Sequence, residues 1–445
     1  MRVRRHISIT SGPFSLTLDE DAWLLCCAGT DVWEPHALSV LVQWLDRHPS
    51  AEIVYADHDS LGNAGNYHDP AFKTDWSPEA FLSADYIGRA AIVRGSVLRK
   101  IPEWQLSCTP EALYNLMLQA TERTNGILHV PHVLCHLASP SPEQRTLDQV
   151  AVEATLRRRR IMAEVQPNRI GPGVHISRSL ILREKISIII PTRNRIDLLS
   201  RCIDSLVRVT DYEPYEIVIV DNGSDDPATL RWLAKCGHRV VRYDKPFNYS
   251  AINNFGVAHT ESPWVLLLNN DTEILHPDWL AEMAQYIQDP RVGAVGAKLL
   301  FPDKNIQHAG VTVGICGLAA HTGLGLPGDS RQHHGIFQHV RNVSAVTAAC
   351  LLTKRSLWDR FGGLDEDHLA ISFNDTYFCL QLRAAGYRLV YTPHALLSHH
   401  ESASRSRSDR PEEVAWFRQK VSTLCPADPF YNPNLEHGRA DWEPC

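Results

Sequence analysis

The chain has 445 residues, a formal net charge of -7, 44% hydrophobic and 21% charged residues. That length exceeds one ordinary core and suits two domains, and the acidic balance gives no basis for broad nucleic-acid binding. No segment reaches the roughly 20 uninterrupted apolar residues of a membrane span. The basic start MRVRRHISIT is not followed by an apolar stretch and a small-residue cleavage site, so a cytoplasmic protein is expected. Eleven cysteines without a CxxC indicate neither a disulfide framework nor a zinc site.

In chain order, residues 22–27 read as a short strand, 36–46 as a helix and 53–55 as another strand, followed by a loop rich in Gly, Asn and Asp. Val150, Ala151, Ala154 and Met162 stand at helical spacing and predict a helix over 147–165. The following PNRIGPG reads as a linker. A second region opens at 185–190 with an almost wholly apolar, β-branched run that suits a parallel strand covered on both faces. Helices are predicted over 197–207, 227–236 and 251–259, alternating with strands over 216–220, 239–243 and 264–268. This rhythm predicts a doubly wound α/β sheet, which binds ligands beyond the carboxyl ends of its strands.

Those strand ends carry unusual chemistry. The first runs into Pro191-Thr192-Arg193-Asn194, the second into Asp221-Asn222-Gly223-Ser224-Asp225-Asp226, and the fourth into Asn269-Asn270-Asp271. Asp221 suits hydrogen bonding to a nucleobase or ribose, or else an Asx turn. Asp271 suits a hard divalent cation, which often takes only one or two carboxylates plus substrate phosphates. Its alternative role, capping the helix expected near Pro277, needs it closer to that helix. No GxGxxG follows the first strand and no GxxxxGK[ST] occurs, which argues against dinucleotide-binding and P-loop sites.

The segments KISIIIPTRN, EIVIVDNGSDD, FNYSAINNFGVAHTESPWVLLLNNDTEI and the stretch reaching HHESAS resemble family 2 glycosyltransferases of the GT-A fold. Among these they are similar to the bacterial rhamnosyltransferase-like members that build cell-surface polysaccharide such as O-antigen. The likeness covers about residues 185–405, and DPFYNPNLE near the C-terminus also resembles the close of such proteins. The resemblance implies that Pro191, Thr192, Arg193 and Asp221 hold the nucleotide. It implies that Asn248 and Asn254 shape the donor pocket, and that Asn269, Asn270 and Asp271 stand for the DXD motif, with Asp271 on Mg2+ or Mn2+. It further places the general base of an inverting transfer at Asp375, with a helix N-cap as the other reading for Asn374-Asp375. His399 or His400 would complete the metal site, against the alternative of an exposed strand end. His308-Ala309-Gly310 and residues 343–349 resemble cleft-lining segments, or pack a core.

The implied partners are a nucleoside-diphosphate sugar, with rhamnose or another hexose, and a glycan or lipid-linked glycan acceptor. Arg157–Arg160 leaves open peripheral contact with anionic lipid or a solvated helix end. AEIVYADHDS and PAFKTDWSPEAFLSADYIG resemble the latter half of a second, degenerate GT-A-like domain, with Asp31, Asp57 and Asp59 as a residual acidic set and Cys108-Thr109-Pro110-Glu111-Ala112 where the base is expected. The expected organisation is a truncated domain over 1–165, a linker over 166–184, a catalytic domain over 185–405 and a tail over 406–445 packed on it. A noncatalytic glycan-binding scaffold and a nucleotidyltransferase are the competing readings.

Overall fold

The computed structural model describes residues 7–9, 19–26, 30–62, 64–102, 110–138, 149–400 and 409–445. Residues 27–30 and 401–405 of the readings above fall wholly or mainly outside that set, as do Cys108 and Thr109.

The C-terminal domain is built on a ten-stranded sheet. Four parallel strands form one half, in the order Arg239–Arg242, Tyr215–Asp221, Ile186–Thr192 and Trp264–Leu268. The sheet continues through Cys350–Lys354, Val292–Leu300, Arg388–His399 and Thr272–Ile274. In this second half Cys350–Lys354 is antiparallel to both neighbours, and Val292–Leu300 runs parallel to Arg388–His399. This is the expected doubly wound α/β architecture, with an antiparallel extension.

Period-two alternation explains the two layers. Ile188, Ile190, Ile219, Leu266 and Leu268 pack on one face against Leu199, Cys202, Ile203 and Leu206 of the helix Ile196–Val209. Ile189, Val218, Val220, Val265 and Leu267 pack on the other against Ile252 and Val257 of the helix Tyr249–Ala258. That second helix lies directly on the sheet: a Cβ at Gly256 would stand 2.5 Å from Ile189 Cγ2 and 2.6 Å from Val220 Cγ2. Strands buried on both faces are the physical reason for the continuous apolar runs in the sequence.

The expected helix over 147–165 is shorter. Among the described residues it covers Gln149–Arg158, ends as Arg160 takes a positive φ of 56°, and gives way to the strand Ala163–Pro167. Two of the apolar residues that suggested its length, Val150 and Met162, are 67% and 73% exposed. The buried face is instead Ala151, Val152, Thr155 and Leu156. The segment read as a linker is a β-hairpin: Ala163–Pro167 pairs with Val174–Arg178, and PNRIGPG makes its turn. The hairpin is fastened to the C-terminal domain by Asn168 Nδ2, which donates to the Gln338 carbonyl at 3.0 Å, and by His175 Nε2, 2.9 Å from Glu282. Arg158 of the basic run donates to Glu122, its Nε 2.9 Å from Oε2.

The N-terminal domain repeats the second half of that sheet. Trp23–Cys26, Ala91–Arg94, Ile53–Leu61, Ile127–Leu137 and Val32–Trp33 follow one another in space. Their directions match those of Trp264–Leu268, Cys350–Lys354, Val292–Leu300, Arg388–His399 and Thr272–Ile274, pair by pair. Val32 pairs with His136 as Thr272 pairs with His399, so Asp31 and His136 occupy the places of Asp271 and His399. Here, however, each acid already has a partner. Asp31 forms a bidentate pair with Arg89, both contacts 2.7 Å and both side chains at most 4% exposed. Asp57 meets His129 at 2.8 Å and the Asn432 amide at 2.8 Å, while Asp59 meets His136 at 2.5 Å. The three acids therefore do not converge on one cation.

The C-terminal segment binds both domains. Asp428 accepts from the Val313 amide at 2.8 Å and the Ser344 hydroxyl at 2.6 Å. Asn432 donates to the Lys73 carbonyl at 2.9 Å, and Asn434 to that of Pro131 at 3.0 Å. Removing one member of a buried ion pair leaves the other charged and unsolvated. Arg89→Ala is therefore expected to destabilise the N-terminal domain by about 3–5 kcal/mol, read as a lower denaturant midpoint at unchanged slope.

Candidate active site

Three strand ends of the C-terminal domain and two later segments meet at one cavity of about 670 Å³. One wall carries Pro191, Thr192, Arg193 and Arg195, with Asn222 from the neighbouring strand end. The floor carries Asn269, Asn270, Asp271 and His399. Thr347, Ala348 and Ala349 line the far side with Asn374, Asp375 and Thr376. Asp271 and Asp375 therefore face one cleft.

Asp271 and His399 are brought together by sheet register. Thr272 pairs with His399, and His399 Nε2 stands 3.0 Å from Asp271 Oδ1. Burial raises the Asp271 carboxyl, but the hydrogen bond and charge of His399 outweigh it and hold Asp271 below the usual carboxylate range. His399 Nδ1 is buried and has no hydrogen-bond partner among the described residues. Two ligands at right angles on a cation with bonds of about 2.1 Å lie about 3.0 Å apart, so this pair fits a small divalent ion. Among the described residues no three His, Cys, Asp or Glu side chains gather as a metal cluster. A cation here needs oxygens from water or a bound diphosphate to complete its shell. His400 points elsewhere, with its Nε2 2.9 Å from Glu273, as alternation along a strand requires.

The two asparagines beside Asp271 connect the walls. Asn270 Nδ2 donates to Thr192 Oγ1 at 3.0 Å, and Tyr249 donates its hydroxyl to Asn269 Oδ1 at 2.8 Å. Asp375 is held by both oxygens: Oδ2 accepts from the Ala348 amide at 2.8 Å and Oδ1 from the Thr376 amide at 2.6 Å. The helix begins at Asn374, with Phe373 at the cap position in a left-handed conformation, φ 60°. Asn374 is thus inside the first turn and is not the cap. Its amide donates to the Ile371 carbonyl at 3.2 Å and its Oδ1 accepts from the Asp375 amide at 2.8 Å, which leaves the half-buried Asp375 towards the cavity.

Several expected donor-binding residues lie outside this lining. Asp221 is 2% exposed, and its carboxylate is occupied by Arg242 at 2.6 Å and by the Ser224 amide at 3.0 Å. Its neighbour Asn222 reaches the cavity instead, held by bonds from Nδ2 to the Tyr243 and Lys245 carbonyls at 3.1 and 2.9 Å. Asn248 caps its helix by accepting from the Ala251 amide at 2.9 Å. Asn254 donates to the Leu364 carbonyl at 2.8 Å. Both asparagines fasten the helix to the loop after Gly363 and do not shape the donor cavity. Arg195, Tyr249 and His321 were not singled out by sequence, although Tyr249 stands inside a motif quoted above and Arg195 directly follows one. Of the segment 343–349, Val343, Ala345 and Val346 pack into the core, while Thr347, Ala348 and Ala349 line the cavity.

Residues 187–314 match the model of Glycosyl transferase family 2. The chain is 37% identical over 98% of its length to the uncharacterized protein y4gI of Sinorhizobium fredii, covering 50% of that protein. It is 35% identical over 91% of its length to the O-antigen biosynthesis protein RfbC of Myxococcus xanthus, covering 33% of it. The O-antigen chain rhamnosyltransferase RfbN of Salmonella typhimurium is 24% identical over 54% of this chain and 73% of its own. The chain thus spans half or less of the two relatives it matches along nearly its full length. Among solved structures, mannosyltransferase PcManGT from Pyrobaculum calidifontis with GDP-Man and Mn2+ aligns at 20% identity and a TM-score of 0.37, over 55% of this chain and 63% of that one. GalNAc-T7 with UDP, GalNAc and Mn2+ aligns at 14% identity and a TM-score of 0.45, over 56% and 49%. The region that matches the family 2 glycosyl transferase model, residues 187–314, thus lies within the C-terminal domain and carries Thr192, Asn269, Asn270 and Asp271 of the cavity.

Proposed function

We propose that the C-terminal domain transfers a hexose, with inversion, from a nucleoside-diphosphate donor to a hydroxyl of a glycan or lipid-linked glycan in bacterial surface-polysaccharide assembly. Rhamnose is the proposed sugar, on the strength of the likeness to RfbN, and the pathway rests on the likeness to RfbC. The observation that carries the reading is the placement of the Asp271–His399 pair and Asp375 on one cavity. Thr192, Arg193, Asn222 and Arg195 offer hydrogen bonds and positive charge beside the cation pair, where the nucleotide and its diphosphate would lie. A bound Mg2+ or Mn2+ held by Asp271 and His399 would supply charge stabilisation for the leaving diphosphate. Asp375 would accept the proton of the acceptor hydroxyl as its oxygen attacks the anomeric carbon and the bond to the diphosphate breaks. The backbone amides of Ala348 and Thr376 fix that carboxylate in place without consuming every lone pair. We propose the N-terminal domain as noncatalytic support, because its counterparts of Asp271 and His399 are tied to Arg89, Asp59 and Glu34. No described helix is long and apolar enough to cross a membrane.

Incubation with a panel of dTDP-, UDP- and GDP-hexoses and Mn2+ is expected to release nucleoside diphosphate from one of them. No release, with glycan binding retained, would favour a scaffold, and release of pyrophosphate a nucleotidyltransferase. In the active pairing, Asp375→Asn is expected to lower kcat by roughly 10²–10⁴-fold with donor affinity little changed; turnover near wild type removes Asp375 from the base role. His399→Ala is expected to weaken Mn2+ binding in the presence of nucleoside diphosphate by more than the roughly 10–100-fold typical of losing an outer-shell partner. His400→Ala is expected to leave it nearly unchanged, and calorimetric titration separates the two.

A further inference from the structure

The turn ahead of Asp375 is strained. Phe373 takes φ 60° and ψ 5°, a left-handed conformation that a residue with a Cβ adopts only at a cost. Such a residue persists where its surroundings hold it, and this one stands two positions before Asp375. Ile371, Ser372 and Phe373 line the cavity together with Asn374 and Asp375. The hold on this turn comes from outside the sheet, from the helix Pro411–Leu424. Glu413 Oε2 accepts from the Ser372 amide at 2.6 Å and from the Ile371 amide at 3.3 Å. Four residues along, Phe417 stacks on the Phe373 ring, with centroids 4.6 Å apart and planes within 8° of one another.

Glu413 is costly where it stands. It is 2% exposed, its Oε1 has no hydrogen-bond partner among the described residues, and the Arg410 guanidinium pairs with that oxygen only at 3.8 Å. Burying a carboxylate costs unless it is paired and hydrogen-bonded. The two loop amides offset that cost, as does its place in the first turn of its own helix. The sheet side of the cavity has no share in this arrangement, since strand register sets Asp271 and His399, and Asn270 bonds Thr192. In the glycosyltransferase reading, on which this inference rests, the side that Glu413 holds carries the proton acceptor. We propose that Glu413 is a positioning residue. By fastening the amides of Ile371 and Ser372 it holds the left-handed turn at Phe373, and so aims the Asp375 carboxylate at the acceptor hydroxyl.

The test is a double-mutant cycle on the full chain with Mn2+ present. It reads kcat for release of nucleoside diphosphate from the active donor of a dTDP-, UDP- and GDP-hexose panel, with water standing in for the acceptor hydroxyl. Calorimetric affinity for the matching nucleoside diphosphate is measured alongside. Glu413→Ala is expected to lower kcat about a hundredfold, the scale of a group misplaced by about 1 Å. Glu413→Gln keeps an acceptor oxygen for the two amides without the charge, and is expected to lose about tenfold. Both variants are expected to bind the nucleoside diphosphate as the wild type does. In an Asp375→Asn background, Glu413→Gln is expected to leave the residual turnover unchanged, because no carboxylate is left to aim. Equal fold-losses in the two backgrounds, or a parallel loss of nucleoside diphosphate affinity, mark a structural role and overturn the proposal. Wild-type kcat in Glu413→Gln overturns it too. Should Glu413→Ala not fold, the Gln variant carries the cycle alone. Full turnover in Asp375→Asn removes the base assignment and this proposal while leaving the transferase reading standing. A wild-type chain that releases nucleoside diphosphate from no donor removes that reading and this inference together.

Discussion

Thr272 pairs across the sheet with His399, and that register sets the 3.0 Å separation between the His399 ring and the carboxylate of Asp271. Side chains alternate along a strand, so a slip of one residue would turn His399 away and present His400, which now meets Glu273. The register is held by burial: Leu397 and Ile274, two pairings along and on the same alternation, are 0% and 4% exposed in the core. The apolar alternation that stabilises the sheet is thus also what aims the polar end of the strand. The same sheet carries Asn269 and Asn270 to the wall of Thr192, so the Asp271–His399 pair and the Thr192 wall share one rigid support.

The N-terminal domain shows that this architecture alone does not make a centre. It has the same strand order and the same pairing of Val32 with His136, yet Arg89 neutralises Asp31. His136 sits between Asp59 and Glu34, at 2.5 and 3.0 Å. A divalent cation would have to displace a buried guanidinium from a bidentate pair, which costs several kcal/mol. Among the described residues, Asp271 has only a histidine as its direct side-chain partner. The difference between the domains lies in which charge faces the strand end, and the C-terminal segment joins the two by bonding Asp57, Lys73 and Pro131.

The parallel half of the C-terminal sheet was legible because strands buried on both faces are apolar almost throughout, as in 186–190 and 264–268. Thr192, Arg193, Asn269, Asn270 and Asp271 were legible for the same reason, since a polar cluster ending such a run marks a strand tip. Asp221 lies outside the cavity lining, and its neighbour Asn222 lies within it. Composition cannot say which of two adjacent polar side chains points into the crevice, and Arg242, which claims Asp221, is distant in sequence. The helix read over 147–165 failed because Val150 and Met162 are apolar but exposed, so helical spacing there did not mark a buried face. The hold of Glu413 on the Ile371 and Ser372 amides was beyond reach, since it joins segments far apart in the chain.

The asparagine at 269, where the resemblance places the first acid of the DXD motif, has an electrostatic consequence. An imidazole that ligates a cation is neutral, so one carboxylate and one bound imidazole carry one negative charge and a divalent cation leaves such a site net positive. In the proposed reading the cation is then poorly satisfied by the protein alone, and the diphosphate supplies the missing negative charge and oxygen ligands. Cation and donor would stabilise one another, with the release of diphosphate weakening the hold on both. The asparagines keep the geometry through neutral hydrogen bonds to Thr192 and Tyr249. The floor of the cavity is thereby organised without the added negative charge that would repel an incoming diphosphate.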